Sequence, residues 1–372
     1  MGRGTLKLGG WLVFLFLSAS AYAGLGGLAA RHGKYFGAFA EYPYVTTNAT
    51  YRNVFAREFN LATVGVYWYQ THTQESALDF TEPRAVADFA VAQGMKLRVH
   101  PLVWFSDYDQ IPEWIRRYDG QPERLKTILE DHVKTVVRFF QQNYPGQVLA
   151  FDVVNEPLEN LGTRVRRSLW SQITPGDPEG YIRLAFQWAR EADPDARLFL
   201  NEIFTERNEA KFQAFAALVA RLRAQGTPID GVGIQGHAFA PFAQRFGFQG
   251  RGQAMVLAAP AARFAAHLRQ MGKLGVELHI TEMDVPLVDN HALFPGRGAV
   301  RTARRLDRQA ETYEGFTRAC VLEPACKAVV VWGVSDKDSW IPKYFPGFGR
   351  PLLFDAWFRP KPAYHGVARG LR

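Results

Sequence analysis

Apolar residues fall into eight short runs, at Tyr35 to Ala40, Leu61 to Trp68, Lys96 to Trp104, Val148 to Glu156, Arg197 to Ile203, Gly231 to His237, Val276 to Asp284 and Ala328 to Asp336. Each is nearly continuous in apolar character and rich in β-branched or aromatic residues, which predicts parallel strands covered on both faces. Between them lie amphipathic segments of helical period, at Glu82 to Gln93, Pro122 to Asn143, Pro178 to Ala192, Glu206 to Gln225, Pro260 to Met271 and Thr302 to Arg318. Pro122, Pro178 and Pro260 stand where a first helical turn accepts proline, and Asn48 suits a helix cap. Eight strands alternating with helices select a closed (β/α)8 TIM barrel of α/β class over an open sheet. No Ser/Pro/Gly linker divides the chain, and the longest irregular segment runs from Ala238 to Ala259.

The start of the chain follows another pattern. Arg3 and Lys7 precede the apolar run Trp11 to Leu17, and small residues lead to Ala21-Tyr22-Ala23. That is the layout of a secretory signal peptide over residues 1–23, leaving a catalytic barrel over 24–372 that is secreted or periplasmic. An uncleaved anchor is the competing reading, because no charge occurs from Leu8 to Ala30. Gly24, Gly26 and Gly27 make the second half a poor helix and favour cleavage. In an oxidising compartment Cys320 and Cys326 suit a local disulfide, with two buried thiols as the alternative.

Composition changes little in this picture. With 372 residues, 47% apolar and 22% charged, the chain excludes disorder and fibrous repeats. Without Arg3 and Lys7, 42 basic residues face 36 acidic ones, an excess of six instead of eight. The basic groups gather at Arg164, Arg166 and Arg167 and at Arg301, Arg304, Arg305 and Arg308, without interleaved aromatics. Solvated helix faces account for them and no nucleic-acid partner is expected; at most the excess hints at acidic groups on a substrate.

Chemistry in such a barrel sits at the carboxyl ends of its strands. Polar residues collected there are His100 and Trp104, Asn155 and Glu156, Asn201 and Glu202, Gln235 and His237, Glu282 and Asp284, then Trp332, Asp336 and Trp340. Glu156 and Glu282 come from opposite sides of the ring and can converge on one cleft. Two carboxylates among indoles and amides are what cleavage of a glycosidic bond requires: an acid for the leaving oxygen and a carboxylate for the cation-like centre.

Several segments then resemble one family. Phe151-Asp152-Val153-Val154-Asn155-Glu156 is similar to the acid/base motif of glycoside hydrolase family 10, the xylanase family, and Ile280-Thr281-Glu282-Met283-Asp284 to its nucleophile motif. Arg98 to Trp104, Ile229 to His237 and Val331 to Asp336 with Ser339-Trp340 resemble its third, sixth and eighth strands, followed by Pro351 to Asp355 and Pro360 to Tyr364. The resemblance spans nearly the whole chain after the leader. It implies a retaining hydrolase of β-1,4-linked xylan or a related β-glycan, with Glu156 as general acid and then base and Glu282 as nucleophile. Asn155 would meet the hydroxyl beside the reacting carbon, His237 would bond Glu282 and keep it ionised, and His100, Trp104, Gln235, Trp332 and Trp340 would line the site. Glu156 must then hold its proton near neutrality while Glu282 must not. The cysteine pair also resembles a disulfide of many members.

The second strand departs from the family, which reads Phe-Asn-x-x-Thr-Pro-Glu-Asn-x-x-Lys-Trp there. This chain has Phe59, Asn60, Thr63, Val64, Gly65, Val66, Tyr69 and Gln70 at the matching places, so the acidic, amide and basic groups that hold the glycone are missing. Phe105 likewise replaces a histidine. A shifted β-glycan is expected, stacked on Tyr67, Trp68 and Tyr69. The rival class is a secreted carbohydrate-binding protein with little turnover. Gly231-x-Gly233-x-x-Gly236 matches a dinucleotide fingerprint only formally, since no helix start or distant acid follows. No spaced histidine or cysteine set suggests a metal, no cofactor is expected, and His279 reads as a satisfied core residue.

Overall fold

Each apolar run becomes a strand, and most strands stop short of the run that announces them. In the computed structural model the staves are β1 (Tyr35–Phe39), β2 (Leu61–Gly65), β3 (Lys96–His100), β4 (Val148–Asn155), β5 (Leu198–Glu202), β6 (Gly231–Ile234), β7 (Glu277–Met283) and β8 (Cys326–Val331). The structure describes residues 24–104, 111–160, 162–238, 261–288 and 298–372. The expected leader, Phe105, Pro260 and nearly all of the Ala238 to Ala259 loop lie outside these. All neighbouring staves pair in parallel, and pairing of Leu97 with Val148 and Val99 with Phe151 closes the ring between β3 and β4.

The helices alternate with the staves: α1 (Ala49–Glu58), α2 (Thr81–Ala92), α3 (Pro122–Asn143), α4 (Gly180–Ala192), α5 (Glu209–Ala224), α6 (Ala261–Gly272), α7 (Gly298–Leu322) and α8 (Pro362–Gly370). Asn48 caps α1 as expected, its side chain accepting from Tyr51 N at 3.0 Å. Pro122 opens α3, whose Leu125, Ile128, Leu129, Val133, Val136, Val137 and Phe140 form the buried stripe of a 3.6-residue repeat. Pro178 instead precedes α4, because a turn from Thr174 to Asp177 delays the helix until Gly180. The short α8 was not expected from the periodicity. It lies close on α7, where a side chain at Gly366 would collide with the Ala310 carbonyl.

Two stave ends differ from the apolar pattern. β2 stops at Gly65, and Trp68 opens a one-turn helix that carries its indole into the core, 2% exposed, with Nε1 donating to the Leu102 carbonyl at 2.9 Å. Trp68 therefore offers no face to a substrate. β3 stops at a cis His100–Pro101 bond, and Val103–Trp104 then rejoins the sheet beside Val154 and Asn155. Cys320 at the end of α7 and Cys326 at the start of β8 form a disulfide, which settles the earlier alternative.

The barrel interior holds a polar knot. Arg98 of β3 and Asp152 of β4 are fully buried and pair in a bidentate fashion through the Nε–Nη2 edge of the guanidinium, with Nε to Oδ2 at 2.9 Å. Arg98 also meets His279 Nδ1, and His279 Nε2 lies 2.9 Å from Glu277 Oε1, so His279 is the satisfied core residue expected. Behind β2 and β3, His132 stacks on Trp68 at 3.6 Å, and its Nδ1 lies 3.2 Å from His72 Nδ1. Burial pushes both of these histidines below the ordinary range and His279 down to about 4.

Those shifts fix the sign of an acid effect. The three rings are neutral when folded and take protons readily once unfolded, so their stabilisation is complete above about pH 6.5 and drains away as the pH falls towards 4. His279 alone accounts for roughly 3 kcal/mol over that interval. Denaturant unfolding should show a clearly lower midpoint at pH 5 than at pH 7.5. An unchanged midpoint would contradict three buried neutral imidazoles.

Candidate active site

Strand ends on opposite sides of the ring supply the centre of one cleft. Asn155 ends β4 and Glu156 follows it, Asn201 lies near the end of β5, Gln235 follows β6, and Glu282 lies near the end of β7. On an extended strand neighbouring side chains point to opposite faces, yet Asn155 and Glu156 both reach this centre. The cause is local: Glu156 adopts φ +54°, a left-handed conformation that costs a non-glycine residue about 1–3 kcal/mol. The turn brings its carboxylate back over the barrel mouth.

Three amides join the two carboxylates. Gln235 Nε2 donates to Glu156 Oε1 at 3.1 Å and to Asn155 Oδ1 at 3.2 Å. Asn201 Nδ2 donates to the same Asn155 oxygen at 2.8 Å and to Glu282 Oε1 at 2.7 Å. The Thr281 hydroxyl occupies Asn201 Oδ1 at 2.7 Å, so the Asn201 amide must present its nitrogen to Glu282. Asn155 Nδ2 is left facing Glu156 Oε1 at 3.4 Å, ready to turn to a ligand hydroxyl.

Histidines complete the surroundings of Glu282. His237 Nε2 lies 3.3 Å from Glu282 Oε2, and its Nδ1 pairs with Asp284 Oδ2 at 3.0 Å. Burial alone would depress His237, but Asp284 and Glu282 outweigh it and raise the imidazole to about 10. The two carboxyl groups thus favour the protonated imidazole. Trp340 Nε1 donates to Asp284 at 2.8 Å and keeps that acid in place. On the other side His100 Nδ1 meets Asp152 Oδ2 at 2.9 Å, while Nε2 lies 3.9 Å from Glu282 Oε1.

Aromatic rings wall the cleft. Trp332 packs on Phe39 at 4.7 Å and on His100 at 5.1 Å, and Tyr67 lies 5.8 Å from His100 and 5.9 Å from Trp104. All nine expected site residues, Glu156, Glu282, His100, Trp104, Asn155, Gln235, His237, Trp332 and Trp340, line this cleft together, as do Tyr67 and Tyr69. Its described lining contains no Lys or Arg, so the hint of an acidic substrate drawn from net charge finds no support there.

Other lining residues escaped the sequence pattern. Glu41 stands immediately after the first apolar run, and the strand-end rule would have found it. Ile203 closes the fifth apolar run, Tyr344 ends a one-turn helix, and Asn160, Phe204 and Phe345 lie in irregular segments where no periodicity points to them. Beneath the Glu156 loop, buried Glu202 accepts from Leu158 N and Ile203 N at 2.9 and 2.8 Å and pairs with Lys211 of α5 at 3.0 Å. Lys211 also donates to the carbonyls of Glu159 and Asn160, so one buried ammonium fixes the loop that follows Glu156. Among the described residues no cluster of three His, Cys, Asp or Glu is placed to hold a metal.

Comparison with known proteins agrees with this geometry. The family model described as Glycosyl hydrolase family 10 matches residues 24–370. Endo-1,4-beta-xylanase B of Thermotoga neapolitana is 36% identical over 319 residues, covering 85% of this chain and 82% of that protein. An endo-1,4-beta-xylanase of Agaricus bisporus is 31% identical over 367 residues, covering 96% and 97%. The crystal structure of xylanase 10B from Thermotoga petrophila RKU-1 in complex with xylobiose superposes with a TM-score of 0.79 at 33% identity, covering 94% of this chain and 97% of that one.

Proposed function

Because the chain belongs to glycosyl hydrolase family 10, we propose that it hydrolyses β-1,4-linked chains of xylan type, the substrate class its relatives are named for, by double displacement at Glu282 and Glu156. The observation that carries this reading is the Glu156 to Glu282 bridge through Gln235, Asn155 and Asn201, which ties two strand-end carboxylates to a single centre.

In the first step a Glu282 oxygen bonds to the anomeric carbon as the bond to the glycosidic oxygen breaks. Glu156 gives its proton to that oxygen, and the leaving sugar departs as an alcohol. Asn201 and His237 engage the two Glu282 oxygens and hold them in position for attack. In the second step Glu156, now a carboxylate, takes a proton from water whose oxygen bonds to the anomeric carbon. The bond to Glu282 breaks and both acids return to their starting states. In this reading the retained glycone extends towards β1 and β2, the side on which the family resemblance places the glycone grip, and the leaving group lies towards Asn160, Ile203 and Phe204 of the lining.

The expected leader over residues 1–23 suits this reading, since a polymer is met outside the cytoplasm. Proton NMR of a β-1,4-xylan digest should show the β-anomer of the new reducing end first, with the α-anomer growing in by mutarotation. Initial appearance of the α-anomer would sink the double displacement.

A further inference from the structure

The glycone end of the cleft is built from groups that the mechanism leaves unused. Glu41 follows β1, and its backbone N–H donates to the Tyr51 hydroxyl at 3.0 Å. Its carboxyl lines the cleft and has no hydrogen-bond or ion-pair partner among the described residues. Tyr69 and Tyr344 line the same end and remain 44% and 37% exposed, a large aromatic surface to leave in water. Tyr69 stacks on Tyr67 at 5.4 Å, and Tyr344 leans on Trp340 at 5.8 Å, so both rings continue walls that begin at the reacting centre.

This end is a replacement and not a ruin. A β-carbon at Gly65 would lie 3.1 Å from the Tyr67 ring and 3.2 Å from the Phe39 ring, tighter than ordinary contact. The room that a side chain at position 65 would need is already taken by Tyr67. Opposite it, Glu41 supplies a polar group from β1 where the second strand supplies none.

We propose that Glu41, together with Tyr69 and Tyr344, binds the sugar one step beyond the reacting one on the glycone side and sets a preference there for an uncharged sugar. The inference rests on the functional reading above, which fixes the direction of the glycone. A carboxyl flanked by two phenols suits sugar hydroxyls and a sugar face, whereas an acidic sugar would meet Glu41 with no cation in the described lining. Burial, with Asp338 and Glu82 nearby, raises Glu41 to about 7, so near neutrality it both donates and accepts.

The test compares kcat/KM for an aryl β-xyloside with that for an aryl β-xylobioside, which differ only by the sugar in question. In the parent protein the xylobioside should be preferred, and Glu41→Ala and Tyr69→Ala should each shrink the preference at least about tenfold. Glu41→Gln, which keeps a donor and an acceptor, should retain it within about threefold. A folded Glu41→Ala or Tyr69→Ala protein with an unmoved ratio overturns the proposal. Fluorescence titration of the same two glycosides in a Glu282→Gln background reads the grip without turnover. If the parent hydrolyses neither glycoside, the functional reading fails while this titration still decides the role of Glu41: equal affinity for the two in the presence of Glu41 rejects it.

Discussion

Glu282→Ala should lower kcat on an aryl β-xylobioside by on the order of 10⁴-fold or more, while Glu156→Ala should spare an activated aryl substrate far better than an unactivated oligosaccharide. The two losses differ because the acids act on different bonds. Removing Glu282 removes the atom that bonds to carbon, whatever the leaving group. Removing Glu156 removes a proton that a poor leaving group needs and a nitrophenolate does not, a help worth roughly 10² to 10⁴-fold where it matters. Azide should restore turnover to Glu156→Ala, through attack on the glycosyl-enzyme without base assistance, and give the β-glycosyl azide. With Glu282→Ala the same anion stands in for the nucleophile and gives the α-azide. Stopped assays with product NMR distinguish these outcomes. Equal losses on activated and unactivated substrates for both variants would contradict the assigned roles, and substrate binding without turnover in the parent would instead support the carbohydrate-binding alternative.

The staves were legible because burial on both faces forces continuous apolar runs, and the carboxyl-end rule then collected Asn155, Glu156, Gln235, His237 and Glu282 from three separate strand ends. What stayed hidden was geometry that residue type does not encode. Strand alternation places Glu156 on the wrong face, and only its left-handed backbone returns it to the cleft. Trp68 sits among aromatics that do line the cleft, yet a one-turn helix points it at His132, so neighbours in sequence part company in space. Lys211 reads as one more charge on an amphipathic helix, although its ammonium is buried under the Glu156 loop. Glu41 stands one residue beyond the apolar run that ends in Ala40, so the apolar pattern itself does not include it.

Arg98→Met should destabilise the fold by about 3–5 kcal/mol, the cost of leaving one partner of a buried ion pair alone. Thermal unfolding should fall by on the order of 10 °C. Asp152 is fully buried, and burial alone would raise its carboxyl; Arg98 and then His100 reverse that and hold it below the ordinary range. Without the guanidinium, burial wins and Asp152 is pushed towards protonation. The sign of the pH dependence follows. A depressed carboxyl stabilises the fold above its unfolded value near 3.9 and loses that stabilisation as the pH falls through the folded value, so Arg98→Met should weaken this acid-limb contribution. The effect also reaches the chemistry, because Asp152 Oδ2 holds His100 Nδ1, and His100 Nε2 faces Glu282 at 3.9 Å. Activity per folded molecule should therefore fall as well, with a shifted kcat pH profile. The double variant Arg98→Met with Asp152→Leu separates the two consequences. It removes the stranded charge and should recover part of the lost stability, but it leaves His100 without its anchor and should not recover the pH profile. Recovery of both would show that the Arg98–Asp152 pair serves the fold alone.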